Sequence, residues 1–338
     1  MTNNRYIRYT RRILALMMAA LLILVLNRGM KGALAMFSWL DGSDVETVLD
    51  ERFDIGGVNQ IALDASSLTV EIRSTSDDQA RLVFQSNLSP EKRAQLAVER
   101  NGDTFTIEQL KHIRIGLFIN VRERLTLYLP IGYRNALSLR LRSGNLTMSD
   151  ARTFTNLSAN LTSGNLEIGD IATETYSVHA SSGNITLGNW NGEGRLQVTS
   201  GNIRLHSLTG TSHEIHSTSG TIRIGSLSGD TTLHVGSGTI RVERFEGQGS
   251  FSSTSGSVNV GIESITGDIS LHCVSGAIRA TVPGTLAFHF EGETLSGSVK
   301  TDFTSTRNGR SVTATVGVSP DYTLRCNTTS GSIRVGYH

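Results

Sequence analysis

Apolar residues recur at a fixed period over the C-terminal two thirds of the chain. Between Ser143 and Gly331, the pattern Ser-Gly, one small residue, then Leu, Ile or Val occurs ten times. The first nine copies are spaced 18 to 21 residues apart, and the tenth follows after 34 residues. A period of this length is typical of solenoids, in which each repeat forms one structural unit that stacks on the next.

Within each repeat, apolar and polar residues alternate, which is the period of a β-strand. The positions three and five residues after the serine are apolar, as in Ile203 and Leu205, and so is the position four residues before it, as in Leu196. The glycine between these two runs suits a sharp corner that needs a positive φ or leaves no room for a Cβ atom. The pattern predicts two strands and a corner in each repeat, stacked into parallel ladders around a continuous apolar core.

Two kinds of β-solenoid have coils of this length. A left-handed hexapeptide helix needs an aliphatic residue at every sixth position, and this sequence lacks that pattern. Because crossovers between parallel strands are right-handed, we predict an all-β fold: a right-handed parallel β-helix or β-solenoid of about ten rungs. An N-terminal β-rich cap and one N-terminal transmembrane or signal helix are expected to precede it.

Pattern and composition predict four parts of the chain. These are a basic cytoplasmic tail (1–12), a signal anchor or signal peptide (13–40), a β-rich cap (41–130) and the solenoid (131–338), with an irregular insertion near 301–320. Within the cap, residues 66–70 resemble a degenerate rung. Residues 88–100, where Ser89 and Pro90 provide a start signal, are expected to form a short helix.

The N-terminal segment predicts membrane targeting. Residues 13–26 are continuously apolar and follow four arginines, but a helix of that length spans only about 21 Å of a hydrocarbon core of about 30 Å. Either the apolar residues 32–40 complete a signal anchor, or a signal peptide is cleaved after Ala35. Arg28 and Lys31 are unusual before a cleavage site and favour the anchor. Both alternatives leave the N-terminus in the cytoplasm and the solenoid outside it.

Charge is unevenly distributed along the chain. The first 31 residues contain six basic and no acidic residues, whereas the remaining 307 contain 25 basic and 30 acidic residues. The net charge of +1 is therefore an N-terminal effect. This distribution excludes a globally basic nucleic-acid binder, and no nucleic-acid partner is expected.

The two cysteines are expected to remain unpaired. The predicted compartment permits disulfides, but the repeat assigns Cys273 and Cys326 to rungs two apart. Two rung spacings are about 9.6 Å, beyond the roughly 7 Å limit between the Cα atoms of a disulfide. Both side chains are predicted to point into the core.

Several segments resemble a known bacterial family. They are the repeated rungs, the opening DASSLTVEIR, and the closing segments ETLSGSVKTDF and NTTSGSIRVG. Together they resemble the bacterial β-strand-repeat putative adhesin family, a domain of unknown function related to the head-GIN adhesin-like domains. The resemblance covers about residues 50–338. The resemblance implies a membrane-tethered, extracytoplasmic β-solenoid, in some cases associated with envelope stress, and it implies no catalytic residues. No cofactor is expected. Together with the N-terminal segment, the resemblance predicts a single-pass protein of the bacterial cytoplasmic membrane with its solenoid in the cell envelope.

One predicted outward column is strongly basic. Four residues after each repeat serine, six of the last seven positions carry a cation. These residues are Arg204, Arg223, Arg241, Arg279, Lys300 and Arg334. At a spacing of about 4.8 Å per strand, they would match an anionic envelope polymer or a lipid surface. A solvated strand face, on which charges discourage aggregation, is the alternative interpretation.

Two other columns suggest metal ligands only weakly. The neighbouring outward residues His216 and His234 could bind zinc or sense pH, but no carboxylate column completes a site. Asp150, Asp170 and Asn189 share one corner, yet calcium needs six to eight oxygen ligands. Turn capping therefore explains this corner better, and no metal site is predicted.

No enzymatic motif is present: there is no nucleophile elbow, HExxH, P-loop or CxxC. We therefore predict a non-enzymatic, membrane-anchored β-solenoid that acts as an adhesin-like binding surface or scaffold, or as an envelope-stress-associated protein. A β-helical polysaccharide-active enzyme is one alternative. The other is a self-assembling structural protein or homo-oligomer, because unpaired terminal rungs can template pairing.

Overall fold

The computed structural model describes residues 45–110 and 121–338, and every regular element in them is a β-strand. The strands are β1 (Glu46–Phe53), β2 (Gln60–Ala65), β3 (Thr69–Thr75), β4 (Ala80–Ser86), β5 (Leu96–Asn101), β6 (Thr104–Gln109), β7 (Glu123–Pro130), β8 (Ala136–Ser143), β9 (Leu146–Met148), β10 (Arg152–Ser163), β11 (Leu166–Ile168), β12 (Ile171–Val282), β13 (Phe288–Thr301), β14 (Thr306–Asn308), β15 (Ser311–Val316) and β16 (Thr323–Tyr337). The long β12 is extended backbone in which successive repeats follow one another without a break. The all-β prediction is confirmed.

Parallel pairing joins neighbouring repeats in the register that their sequences share. β10 pairs with β8 and β12, and Ser163 lies opposite Ser143 on one side and Ser182 on the other. Likewise β11 places Leu166 between Leu146 and Ile185. A slip of one residue would turn the apolar side chains toward solvent, so the alternation fixes the register. The result is the predicted solenoid-like stack of parallel repeats; its handedness remains a prediction.

The repeat glycines stack directly on one another at the corner. A Cβ atom on Gly164 would collide with the carbonyl oxygen of Gly144, and the φ of Gly164 is 123°. Any other residue would therefore suffer both a backbone clash and a disfavoured conformation. The same collision and positive φ recur at Gly183, Gly201, Gly220, Gly238, Gly256, Gly276, Gly297 and Gly331.

The predicted inward columns form the core. Leu196, Ile203 and Leu205 are all buried, and so are the equivalent residues of the neighbouring repeats. Burial of one such side chain stabilises the fold by about 1.5–3 kcal/mol. The stacked columns are therefore the main apolar contribution to stability.

The parallel ladder begins upstream of residue 131. β2 pairs with β8, and β3 pairs with β9. The Leu68 carbonyl lies beneath Gly144, as a corner glycine does elsewhere in the stack. The resemblance of residues 66–70 to a rung therefore has a structural counterpart.

The helix expected over residues 88–100 is wrong. Leu96–Asn101 is β5, which pairs antiparallel with β6 and places Val98 opposite Ile107. The predicted start signal forms only a turn, in which the amides of Lys92 and Arg93 donate to the Ser89 carbonyl oxygen. Cross-strand packing outweighs local helix propensity here.

Strand order departs from chain order at both ends of the ladder. β16 lies between β12 and β13, so that Ser330 is opposite both Ser275 and Ser296. β2 similarly lies between β6 and β8, although it precedes both in the chain. The antiparallel strand β5 pairs with β6, and the antiparallel strand β15 pairs with the first half of β13.

The chain divides into two compact units. Among the described residues, the larger contains 48–84, 94–110 and 124–338 and includes the parallel ladder. The described residues of the smaller are 45–47, 85–93 and 121–123, and within it the Arg122 amide donates to Oδ1 of Asn87 at 2.8 Å. The four-part division remains a prediction.

The predicted anchor at residues 13–40 lies outside the described residues. In the parts of the chain that the structure describes, no helix has the length and apolar character needed to cross a membrane.

Candidate anion-binding column

Strand alternation positions the six predicted cations. Ile203 and Leu205 point into the core at 1% and 2% exposure, so Arg204 between them must point outward. The other five cations occupy the same position in their repeats, and all six side chains are exposed. We refer to these six residues as the cationic column.

The order of the cations in space differs from their order in the sequence. Arg334 is directly opposite Arg279 on one side and Lys300 on the other. The repeat spacing alone placed Arg334 last, after Lys300. The structure instead brings together three cations on three adjacent strands.

Few carboxylates compensate the cationic column. Arg241 Nε lies 3.7 Å from Glu243 Oε1, and Arg334 Nη2 lies 3.8 Å from Asp302 Oδ1. Within residues 45–110 and 121–338, no ion pair is found for the other four: Arg204, Arg223, Arg279 and Lys300. The exposed ion pairs that do occur contribute little to stability, about 0–1 kcal/mol each.

Upstream of Arg204 the same outward position is neutral or acidic. Glu71, Thr147, Glu167 and Thr186 lie in register on four successive strands. The basic character is therefore confined to the C-terminal part of the ladder.

A second outward column stabilises the corners. Oδ1 of Asn145 accepts hydrogen bonds from the backbone amide and side chain of Asn165, at 3.1 and 3.3 Å. Asn165 binds Asn184 in the same way, and Asn202 donates to Asn184 at 3.0 Å. This asparagine ladder satisfies corner amides, and it explains the recurring Ser-Gly-Asn sequence structurally.

The histidine column has acidic and basic neighbours that sequence reasoning missed. His216 Nε2 lies 2.9 Å from Glu214 Oε1, and Glu214 is paired with Arg195 on the adjacent rung. The hydrogen bond from Arg195 lowers the pKa of Glu214, and the hydrogen bond from His216 adds to this effect. Partial burial of the carboxylate opposes the shift. Outward alternation on the same strand could have predicted Glu214 beside His216, but not its pairing with Arg195.

These side chains line an open groove of about 320 Å³ that also includes His234. The imidazole centroids of His216 and His234 are 6.0 Å apart, and His234 Nδ1 lies 2.8 Å from Ser252 Oγ. No group of three or more His, Cys, Asp or Glu residues in the described part of the chain is arranged to hold a metal ion.

The acidic corner caps turns, as the sequence predicted. Oδ1 of Asp170 accepts hydrogen bonds from the Asn189 amide at 2.7 Å and from the Asn189 side chain at 3.1 Å. These bonds lower the pKa of Asp170. Oδ2 of Asp150 accepts a bond from the Ser74 amide at 2.6 Å.

Both cysteines are free and buried, as predicted, but the predicted distance between their rungs is wrong. Their strands are adjacent because β16 pairs directly with β12. The register sets Cys326 opposite Leu271 and Cys273 opposite Thr328. A two-residue offset, and not an intervening rung, separates the two thiols.

Two buried polar groups have structural roles. His213 is hydrogen-bonded to the Tyr176 hydroxyl at 2.9 Å and to the Ser228 carbonyl at 3.0 Å. Arg152 donates to the carbonyl oxygens of Leu129, Pro130 and Tyr133, at 2.9 to 3.3 Å. Burial lowers the pKa of Arg152, which Asp150 partly opposes. Arg152 thus satisfies the carbonyl groups at the end of β7.

The repeat architecture agrees with a comparison of the sequence with family models. The Toastrack DUF4097 model matches residues 58–235 and 195–336, which together span most of the chain. The chain belongs to the Toastrack DUF4097 family. This confirms the resemblance to the putative adhesin-like domains of unknown function. Comparison with the curated proteins gives no match.

The solved structures to which this chain is similar are distant in sequence. A putative adhesin from Parabacteroides distasonis is 13% identical, with a TM-score of 0.43, over 87% of this chain and 97% of that one. A putative lipid binding protein from the same species is 15% identical, with a TM-score of 0.32, over 87% and 98%. A putative adhesin from Bacteroides fragilis is 15% identical, with a TM-score of 0.24, over 85% and 96%.

Proposed function

We propose that this Toastrack protein is a non-enzymatic, extracytoplasmic binding protein that holds a linear anionic polymer of the cell envelope along its cationic column. The observation that carries the proposal is the alignment of six exposed cations at one repeat position, four of which have no ion pair within the described residues. An extended polyanion could contact several of them at once, because adjacent strands are about 4.8 Å apart.

Protection of a sheet edge does not account for the cations on inner strands of the stack. Charged residues are expected on edge strands, where they prevent pairing with other chains. Arg334, however, lies on β16, which is paired with β12 on one side and with β13 on the other. Arg279 lies on β12 directly opposite Arg334, and β12 is therefore not the edge of the stack at this end. Their charges therefore protect no open edge.

The side chains beside the column favour a polymer over a lipid surface. Two positions after each cation, the same face carries His206, Gly225, Glu243, Thr281, Asp302 and Gly336. A membrane-binding face usually combines cations with large apolar side chains, and this neighbouring column contains none.

The histidine groove supports binding more than catalysis. Ser252 and His234 form a hydroxyl and imidazole pair at 2.8 Å. A catalytic triad also needs an acid that orients the histidine. Among the described residues, the carboxylate of this groove, Glu214, is hydrogen-bonded to His216 and Arg195 and not to His234.

The proposal includes a right-handed solenoid of about ten rungs that residues 13–40 anchor in the bacterial cytoplasmic membrane. In that position the column could serve adhesion or present an envelope polymer during envelope stress. Cell fractionation checks the anchor: the protein should require detergent, and not high salt, for extraction. Release by salt alone would contradict it.

A pull-down assay tests the binding proposal. The full chain is incubated in neutral detergent with immobilised long-chain polyphosphate, with isolated cell-wall polymer and, after reconstitution, with vesicles containing phosphatidylglycerol. The variant Arg204→Gln, Arg223→Gln and Arg241→Gln should bind the polymers more weakly, because three adjacent cations of the column are neutralised.

The matched control is Arg140→Gln, Arg244→Gln and Arg325→Gln. It removes the same charge from exposed arginines outside the column. It should bind as the unmodified protein does. Equal loss in both triple variants, or binding to vesicles only, would overturn the proposed polymer site.

A further inference from the structure

We propose that Arg279, Arg334 and Lys300 form a discrete site for closely spaced phosphate groups, and that occupation of this site locks β16 into the stack. We call these three residues the C-terminal triad. The inference rests on the proposed function of the cationic column, and it adds a specific ligand class and a structural response.

The C-terminal triad is assembled from three separate chain segments. Arg279 comes from the end of β12, Lys300 from β13 and Arg334 from β16. Arg334 is in register with both of the others. The three backbones therefore carry cations on adjacent parallel strands, about 4.8 Å apart.

Three like charges directly opposite one another destabilise a sheet. Nearby acids relieve this only slightly, because the sole ion pair of the triad within the described residues joins Arg334 to Asp302 at 3.8 Å. Both side chains of that pair are well exposed, at 65% and 46%, so solvent screens it. A bound polyanion would remove the repulsion across all three strands.

Phosphate groups match the chemistry of the triad. Guanidinium groups bind phosphate oxygens through two parallel hydrogen bonds, and a lysine ammonium adds a point charge. A ligand with several neighbouring phosphates could contact all three cations. A single isolated anionic group could not.

The topology couples this site to β16. The parallel partner of β13 is β16, and β15 covers the other side of its first half. If β16 left the stack, Arg334 would leave with it, and Lys300 would no longer be held in register with Arg279. A ligand that needs all three cations therefore binds only the form with β16 inserted, and it must stabilise that form.

Hydrogen exchange of the full chain in neutral detergent tests the coupling, with tripolyphosphate as the probe. At a probe concentration of 100 times Kd, opening of β16 should be about 100-fold rarer. The amides of β16 that exchange through this opening should slow by the same factor. Arg334→Gln should abolish this protection, whereas Arg223→Gln, in the same column but outside the triad, should retain it.

A second variant changes the site in the opposite direction. Asp302→Asn removes the one carboxylate that pairs with the triad, so tripolyphosphate should bind more tightly and protect β16 at lower concentration. The triad would be identified as the site if Arg334→Gln lost both tripolyphosphate binding and protection of β16, and if Asp302→Asn bound tripolyphosphate more tightly. Unchanged affinity in both variants would overturn it.

The remaining outcomes separate this inference from the proposed function. If tripolyphosphate binds but hydrogen exchange in β16 does not slow, the proposed stabilisation of β16 by the ligand is overturned. If tripolyphosphate does not bind, the triad site itself is overturned. In either case the column proposal stands or falls by its own pull-down assay. Vesicles with and without phosphatidylglycerol form a second arm, and protection by vesicles alone would overturn the soluble polyanion as the ligand.

Discussion

At the scale of single residues, one buried histidine links stability to pH. His213 is 1% exposed and fully hydrogen-bonded in its neutral form. Its Nε2 donates to the Ser228 carbonyl, so Nδ1 accepts from the Tyr176 hydroxyl. Burial lowers the pKa of His213 below its ordinary value of 6.5, although the Ser228 carbonyl and Glu193 oppose the shift.

This shift predicts loss of stability in mild acid. Because the folded pKa lies below the unfolded one, the unfolded chain takes up a proton first. The contribution of neutral His213 is therefore complete above about pH 6.5 and is lost as the pH falls below that value. We expect His213→Gln to flatten the free energy of unfolding between pH 7 and about 5, as measured by denaturant titration. An equal pH dependence of the free energy of unfolding in His213→Gln and the unmodified protein would contradict this account. The control is His272→Gln, which changes an exposed histidine and should keep the pH dependence of the unmodified protein.

The sequence could not reveal this pair. Tyr176 and His213 are 37 residues apart and belong to rungs that are not adjacent. They meet because Gly194 occupies the intervening position without a side chain; a Cβ there would lie 3.0 Å from Cδ2 of Tyr176 and would collide with the Tyr176 carbonyl. Repeat alignment identifies each inward residue but not a contact that skips a rung.

At the scale of elements, the repeat predicted strands, faces and register, but not strand order at the ends. Every rung has nearly the same apolar pattern, so each could pair with any other in the same register. The 34-residue interval before Gly331 signalled an interruption. It did not indicate that β16 would return to the inside of β13. For the same reason, the order of the cationic column in space differs from its order in the sequence.

The inserted position of β16 predicts a cooperative C-terminal unit. Val335 is 0% exposed, and Val335→Asp would bury an unpaired carboxylate at a cost of several kcal/mol. β16 should leave the stack, and β13 and β15 should be released with it because β16 is the parallel partner of β13. Limited proteolysis with mass spectrometry should then cut throughout residues 288–338.

The control for this variant is Ser332→Asp, which places the same group at an exposed position of β16, opposite Ser298, and should leave the protein resistant. Residues 143–282 should stay intact in both variants, because stability in a repeat protein depends on neighbouring rungs. Cleavage confined to residues 323–338 would show that β13 does not depend on β16.

At the scale of the whole molecule, the alignment of the cations matters more for polyanion binding than the net charge of the chain. The chain carries a formal charge of only +1, so total charge would not attract a polyanion. Screening acts over about 8 Å at physiological ionic strength, which exceeds the rung spacing of about 4.8 Å. Neighbouring cations of the column should therefore act together on one ligand, and replacement of three should weaken binding more than any single change does.

The most direct measurement is the affinity for long-chain polyphosphate as a function of salt concentration. The unmodified chain is compared with the column variant (Arg204→Gln, Arg223→Gln, Arg241→Gln) and the off-column variant (Arg140→Gln, Arg244→Gln, Arg325→Gln). The column variant should bind more weakly and lose less affinity as salt rises, because fewer charge contacts remain to be screened. The off-column variant should keep the affinity and salt dependence of the unmodified protein. Equal salt dependence in the two variants would contradict the assignment of binding to the cationic column.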